Sequence, residues 1–191
     1  MHLRSTILTI RTKYQLEKKQ KDAVFKDTIM PHLDAAYNLS RWLTRNEHDA
    51  EDIVQDAFVR AYSYFGSFSG NNAKAWLLAI VRNTFYTWHQ KKQIRQSVEA
   101  DEEVMVSDRF VSEQTPDKAM EAKEMQREVR AALDFLPLEF REVIVLREME
   151  SYTYKEIAAL LDIPIGTVMS RIARGRDMLR SLLANQLTSE V

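Results

Sequence analysis

The chain has 191 residues, of which 45% are hydrophobic and 29% are charged, and its formal net charge is −1. These proportions are ordinary for a globular protein, and no apolar run approaches the roughly 18 residues that a membrane span requires. There is no cysteine, so disulfides and thiolate metal sites are excluded and a reducing cytoplasm is favoured. The N-terminus shows no apolar signal region, and we expect neither a secretory signal nor membrane insertion.

The composition favours helix throughout. Only 4 glycines and 4 prolines interrupt long stretches rich in Ala, Leu, Glu, Lys and Arg. The chain is therefore predicted to be all-α, with two small helical domains joined by a flexible acidic linker. The predicted segments are an N-terminal arm at 1–21, a first domain at 22–95, the linker at 96–115 and a second domain at 116–187.

The first domain contains two well-marked helices. A capping-type start at Asp49 to Asp52 precedes apolar residues spaced three and four apart as far as Phe65. A Gly/Ser/Asn loop at 65–72 breaks the pattern. A further helix is predicted from Ala73, in which Trp76 and Asn83 are interpreted as structural and Tyr86 is equally consistent with packing or with stacking on bases.

The linker is identified by its charge. Six acidic residues and one arginine lie between 96 and 115, with weak periodicity. Thr115 and Pro116 then form a cap followed by proline at the first helical position, which predicts that helix resumes there.

The second domain ends in a predicted helix-turn-helix. Thr153 and Glu156 form a capping box before the first helix. Asp162 stands in the turn, where its side chain tolerates left-handed backbone. In the second helix one stripe is apolar and is predicted to be buried on the preceding helix: Val168, Ile172, Gly175, Leu179 and Leu182.

The opposite face of that second helix combines small side chains with arginines. This face carries Thr167, Met169, Ser170, Ala173, Arg174 and Asp177, with Arg171 and Arg176 on its flanks. Small residues let a helix enter the major groove, while Ser and Arg reach base edges and phosphates. The alternative is a plain helical hairpin whose arginines are solvated.

The residues give little support for an enzyme. The four histidines are scattered, and no Gly-rich phosphate loop or nucleophile motif is present. We expect no catalytic residues, no metal and no cofactor.

The segment LPLEFREVIVLREMESYTYKEIAALLDIPIGTVMSRIARGRDML (136–179) resembles the −35-reading domain of extracytoplasmic function (ECF) sigma factors. The resemblance implies an HTH helix in the major groove. The implied DNA contacts are Thr167, Ser170, Arg171, Arg174 and Arg176. Many relatives carry Arg in place of Met169 and a larger residue in place of Ala173, so the resemblance does not extend to the promoter sequence that is read.

Two segments of the first domain resemble other parts of the same family. DAEDIVQDAFVRAY (49–62) is similar to the segment that docks on the clamp coiled coil of RNA polymerase. FSGNNAKAWLLAIVRNTFYTWHQKK (68–92) is similar to the part that melts DNA and recognises the −10 element. The implied polymerase contacts are Asp52, Gln55 and Asp56. The implied −10 contacts are Phe68, Asn71, Asn72, Arg82, Lys91 and Lys92.

Family membership implies several partners for the chain. These are core RNA polymerase, through its clamp coiled coil and flap region, promoter DNA, and an anti-sigma factor in the bacterial cytoplasm. The acidic linker would follow the basic path through the polymerase. Two alternatives stay open: a stand-alone helix-turn-helix regulator that binds operator DNA, and an interaction protein without DNA contact.

Overall fold

The computed structural model describes residues 18–99 and 128–188, and the side chains of 18–96 and 128–184. Every regular element within these ranges is a helix, as predicted. The α-helices are α1 (18–29), α2 (Leu33–Thr44), α3 (Glu47–Tyr64), α4 (Ala73–Glu99), α5 (128–135), α6 (Leu138–Ile144), α7 (Tyr154–Leu161) and α8 (Ile165–Thr188). Short 3-10 helices at Met30–His32 and Phe65–Ser67 and a π-helix at Val145–Met149 adjoin them. Of the helices in these two ranges, none is both long and apolar enough to cross a bilayer.

Helix ends follow local capping chemistry, with one difference from prediction. The Asn46 side chain accepts a hydrogen bond from the Asp49 amide at 3.0 Å, so α3 begins at Glu47, before the predicted start at Asp49. The Thr153 capping box is present at the start of α7. Asp162 ends α7 at φ 54°, in the left-handed geometry that the sequence predicted for it.

Helices α1 to α4 form the first helical block. Ile29, Leu39, Ile53, Leu77 and Phe85 are buried between them. Asn83 lies outside the buried face of α4. It is exposed, whereas the sequence pattern suggested a structural role for it. The block places the outer face of α3 and the loop before α4 in solvent.

Helices α5 to α8 form the second block. Val168 and Ile172 are buried as predicted. Helix α8 packs on α7 and also on α6, which the sequence did not indicate. The contact with α6 is close because Gly175 has no side chain: a Cβ there would lie 3.0 Å from Ile144 Cγ1.

The two blocks contact each other. Helix α2 packs on α6, and α4 packs on α7, so that buried residues of both blocks belong to one apolar cluster. Polar contacts cross the same junction: Arg82 pairs with Glu142, and Lys74 pairs with Glu150 at 2.7 Å. The predicted two-domain chain therefore has a built interface between its domains.

Several predicted features lie outside the described residues. These are residues 1–17 of the arm, most of the acidic linker, and the helix restart at Thr115 and Pro116. At the borders, α1 is already helical at 18–21, and α4 continues to Glu99, four residues into the segment predicted as linker.

Candidate nucleic-acid and protein interfaces

The face of α8 predicted to read DNA is exposed. Met169 is 53% exposed, and Ser170, Ala173 and Arg174 also lie in solvent. Thr167 is half-buried at the first turn, where its carbonyl accepts a hydrogen bond from Ser170 Oγ at 3.0 Å. Four of these residues thus lie on one accessible surface, which we call the α8 face.

Two arginines that flank the α8 face are engaged with acids of the same block. Arg176 pairs with Glu148 at 2.5 Å, and Arg171 pairs with Glu139 at 3.6 Å. Arg174 is exposed between them. Ion pairs at the surface contribute little net stability, so the flanking guanidinium groups can exchange their carboxylates for phosphates at low cost.

The polar face of α3 is also accessible. Asp52, Gln55 and Asp56 are all exposed, while the opposite side of the helix is buried against α2 and α4. Val59, one turn further on, is 67% exposed. The result is an acidic surface with an apolar side chain at its edge, a combination suited to a basic partner surface.

The loop before α4 combines an aromatic wall with amide groups. The Phe68 ring lies 5.1 Å from Trp76 and 5.9 Å from Phe65, centroid to centroid. Asn71 is exposed. Asn72 is exposed as well, but its Oδ1 caps α4 by accepting from the Ala75 amide at 2.9 Å. The wall and one amide are therefore available for contact with a base.

The predicted cations of α4 are spread along the helix. At 1.5 Å per residue, Arg82 lies about 15 Å from Asn72 along the axis, and Lys91 and Lys92 lie about 30 Å away. Lys92 pairs with Asp49 at 3.1 Å, and Lys91 is exposed. These cations are therefore too far apart to share one pocket with the loop.

Arg82 is held by a buried carboxylate that the sequence did not reveal. Glu142 of α6 is 1% exposed, and it accepts hydrogen bonds from Arg82 Nε at 2.8 Å and from the Tyr86 hydroxyl at 3.1 Å. Burial raises the pKa of Glu142, and burial together with Glu142 raises the pKa of Tyr86 to about 12. The sequence hint of a buried carboxylate was the position of Glu142 directly before the apolar run at 143–146.

Across the described ranges, no group of three or more His, Cys, Asp or Glu side chains lies close enough to hold a metal ion.

Fold and accessible surfaces together define an all-α protein with a helix-turn-helix and, on α3, a second exposed surface that is acidic. Two family matches cover most of the described chain: Sigma-70 region 2 over residues 28–94, and Sigma-70, region 4 over residues 126–179. They occur in the chain order that the sequence motifs predicted.

Relatives identify the branch of the family. The chain is 34% identical to the ECF RNA polymerase sigma factor SigW of Bacillus subtilis, over 88% of this chain and 93% of that protein. It is 35% identical to the ECF RNA polymerase sigma-E factor of Escherichia coli K12, over 68% and 71%. The chain belongs to the ECF RNA polymerase sigma factors. It matches 61% of the length of another relative, SigE of Mycolicibacterium smegmatis, at 34% identity and over 83% of this chain.

Solved structures show the same architecture. The sigma factor RpoE, in complex with the anti-sigma factor NepR from Bartonella quintana, aligns with a TM-score of 0.68 at 30% identity, over 84% of this chain and 96% of that chain. CnrH, in complex with the cytosolic domain of CnrY, aligns with a TM-score of 0.61 at 25% identity, over 86% and 90%.

Proposed function

We propose that this chain acts in the bacterial cytoplasm as an alternative sigma factor that binds core RNA polymerase, directs it to specific promoters and promotes DNA melting. The observation that carries the proposal is the pairing of an exposed helix-turn-helix with an exposed acidic face on α3, within matches to regions 4 and 2 of one family. In this assignment residues 22–95 dock on the polymerase and melt promoter DNA. Residues 96–115 connect the two domains, and residues 116–187 read the −35 element.

The α8 face is assigned to the −35 element. Ser170 and Arg174 lie at its centre and are assigned to base edges, where Arg makes bidentate contacts with guanine. Arg171 and Arg176 are assigned to phosphates, after release from Glu139 and Glu148. Thr167, at the first turn of the helix, is assigned to the adjacent backbone.

The α3 face is assigned to the clamp coiled coil of the polymerase. Asp52, Gln55 and Asp56 supply two negative charges and an amide from exposed positions that are three and four residues apart, on one face of the helix. Charge complementarity of this kind speeds encounter and fixes orientation more than it adds affinity. The chain's net charge of −1 is consistent with DNA binding that depends on the polymerase as partner.

The loop before α4 is assigned to the −10 element. Capturing an unstacked base requires an aromatic or apolar wall and hydrogen-bonding groups. The Phe68 and Trp76 rings supply the wall, and Asn71 supplies a free amide; Asn72, whose Oδ1 caps α4, supplies only its amide N–H donors. Arg82 can hold the strand only after it leaves Glu142, so this role requires the two blocks to separate.

Two further partners are proposed from the family. The flap region of the polymerase is the proposed dock of the second block. An anti-sigma factor is proposed as inhibitor because the similar RpoE structure contains the anti-sigma factor NepR. A stand-alone regulator has no comparable support, because residues 28–94 match a sigma region rather than an effector or dimerisation domain.

Run-off transcription tests this function. Purified chain and core polymerase are incubated with a pool of promoter fragments, and the initiated transcripts are sequenced. We expect a defined promoter class to be initiated only when the chain is present, and no retardation of those fragments by the chain alone. Tight DNA binding without polymerase, together with no initiated transcripts, would contradict the proposal.

A pair of matched variants tests the docking face. Asp52→Ala with Gln55→Ala is expected to lower affinity for core polymerase without changing the circular dichroism spectrum. The control, Gln20→Ala with Asp27→Ala, removes one amide and one acid from the exposed surface of α1 and should bind normally. Equal binding by both variants would remove α3 from the interface.

A further inference from the structure

An open cavity with polar and apolar lining residues lies between the two blocks. It has a volume of about 420 Å³ and is bounded by the end of α2, the second half of α4 and the start of α6. The α8, α3 and loop surfaces described above do not contribute to it, and Lys92 is the one α4 cation described above that does. No role assigned so far therefore accounts for its chemistry.

The charge of this cavity is one-sided. Arg45, Lys92 and Arg141 line it, and no acidic residue of the two described ranges does. His89, Gln93 and Gln96 add further polar groups. Lys92 is already paired with Asp49 at 3.1 Å, so Arg45 and Arg141 are the two cations that would attract an anion into the cavity.

Arg141 is the innermost of these cations. Its side chain is buried, at 2% exposure for the residue, and its Nε and Nη1 have no hydrogen-bond partner among the described residues. The carboxylate of Asp134 lies outside the cavity wall with Oδ1 3.9 Å from Nη1, beyond hydrogen-bond distance. A buried guanidinium with unmet donors is costly unless an anion completes it.

Arg45 places a second positive charge at the cavity, near Arg141. Its Nη2 donates to the Leu136 carbonyl at 3.3 Å, which holds it against the second block. Burial first, and the nearby Arg45 second, lower the pKa of Arg141 to about 10. Arg141 is still charged at neutral pH, so two like charges face one cavity.

The remaining wall is aromatic. Phe85 and Trp88 line the cavity, with ring centroids 6.1 Å apart. Such a wall accepts an apolar part of a ligand beside its charged group. The cavity thus combines the features of a small organic-anion site: convergent cations, hydrogen-bond donors and an apolar side.

We propose that this inter-block cavity is an oxyanion-binding site that holds a phosphate or carboxylate group between Arg45 and Arg141. The site would take a small anion of the cell, or a carboxylate from the chain's own acidic stretch. Asp101, Glu102 and Glu103 follow Gln96 by only five to seven residues. Attachment to the same chain would give those carboxylates a high effective concentration.

Binding there would act on the arrangement of the blocks. Arg45 and Lys92 belong to the first block, and Arg141 belongs to the second. An anion held by both stabilises their contact, and with it the pairing of Arg82 and Glu142. A ligand that binds only the joined form shifts the population toward it. The proposal does not depend on the assigned promoter contacts.

Thermal unfolding of the full chain with added pyrophosphate tests the site, with chloride adjusted to keep ionic strength constant. We expect a saturable rise in Tm in the wild-type chain. Arg45→Gln should raise the half-saturating concentration about tenfold, as expected for the loss of one charge-assisted hydrogen bond. Arg45 is exposed, so this variant is expected to fold; Arg60→Gln, an exposed arginine of α3, is the matched control and should titrate like wild type.

A second variant distinguishes the two sources of the anion. Asp101→Asn, Glu102→Gln and Glu103→Gln together remove the nearest carboxylates of the chain. Tighter pyrophosphate binding by this variant would identify the chain's own acids as the occupant, and unchanged binding would identify a free anion. If neither the wild-type chain nor this variant shows saturable binding, or if Arg45→Gln and Arg60→Gln titrate alike, the proposal is overturned.

Discussion

Arg82 and Glu142 form an ion pair that joins the two helical blocks, and its carboxylate is shielded from water. Arg82 Nε lies 2.8 Å from Glu142 Oε1, and the two residues are 60 positions apart in the chain. The Glu142 carboxylate also accepts the Tyr86 hydroxyl. One assigned −10 contact is thus engaged by the domain that is assigned to the −35 element.

Substituting Arg82 and substituting Glu142 should lower the free energy of unfolding by unequal amounts. Arg82→Gln leaves a buried carboxylate without its cation and is expected to lower the free energy of unfolding by about 3 kcal/mol. Glu142→Gln keeps a hydrogen-bonding group in place and should cost about 1 kcal/mol. Urea denaturation measures both losses. Small and equal losses would show that the pair is open in solution.

The same carboxylate predicts a pH dependence. Because burial raises the pKa of Glu142 in the folded chain, the folded state takes up a proton more readily than the unfolded state. The contribution of Glu142 to stability is therefore full below its unfolded pKa and declines as pH rises through the folded pKa. As the pH rises from 4 to 8, the free energy of unfolding of wild type should therefore fall relative to that of Glu142→Gln. A difference that is constant over this range would contradict the raised pKa.

The capping box at α7 predicts a pH dependence of stability with the opposite sign. Hydrogen bonds from the Thr153 amide and hydroxyl lower the pKa of Glu156. The resulting stability is present above the unfolded pKa and is lost as pH falls through the folded pKa. In Thr153→Ala one of those donors is gone, and the Glu156 titration measured by NMR should move up toward its ordinary value. An unmoved midpoint would mean that the capping box does not form.

Two glycines of α8 should respond differently to alanine. At Gly175 a Cβ would meet Ile144 Cγ1 at 3.0 Å and Phe140 Cβ at 3.4 Å. Gly175→Ala should therefore destabilise by about 1–3 kcal/mol through overpacking against α6, less the gain in helix propensity. Gly166→Ala is the control, since no atom lies within 4 Å of its Cβ, and it should be neutral or stabilising. Chemical denaturation compares the two.

Arg174 provides the residue-level prediction for the α8 face. Arg174→Ala in holoenzyme should weaken binding to −35-containing promoter DNA by about 1–3 kcal/mol if it contacts a base, and should relax specificity at one base pair. Competition assays with single-base promoter variants measure this. Arg180→Ala is the matched control, because Arg180 lies six residues beyond Arg174 on α8 and pairs with Asp177. Equal losses at all base pairs would assign Arg174 to phosphate.

Much of the candidate site follows from local sequence. The capping box, the left-handed Asp162 and the buried stripe from Val168 to Ile172 were all predictable, because they depend on residues within one or two turns of each other. The exposure of Asp52, Gln55 and Asp56 followed from the same helical period. The start of α3 was placed too late in the chain because two capping groups, Asn46 and Asp49, stand close together.

Sequence by itself determined the helices, their faces and the order of the two sigma regions, since periodicity and caps act over short stretches of chain. Tertiary structure alone decided which charges meet. Glu142 became the buried partner of Arg82, and Arg141 became a buried cation with unmet donors beside Arg45. Such encounters depend on how two separately patterned blocks pack, and burial then sets the strength of each charge by removing the water around it.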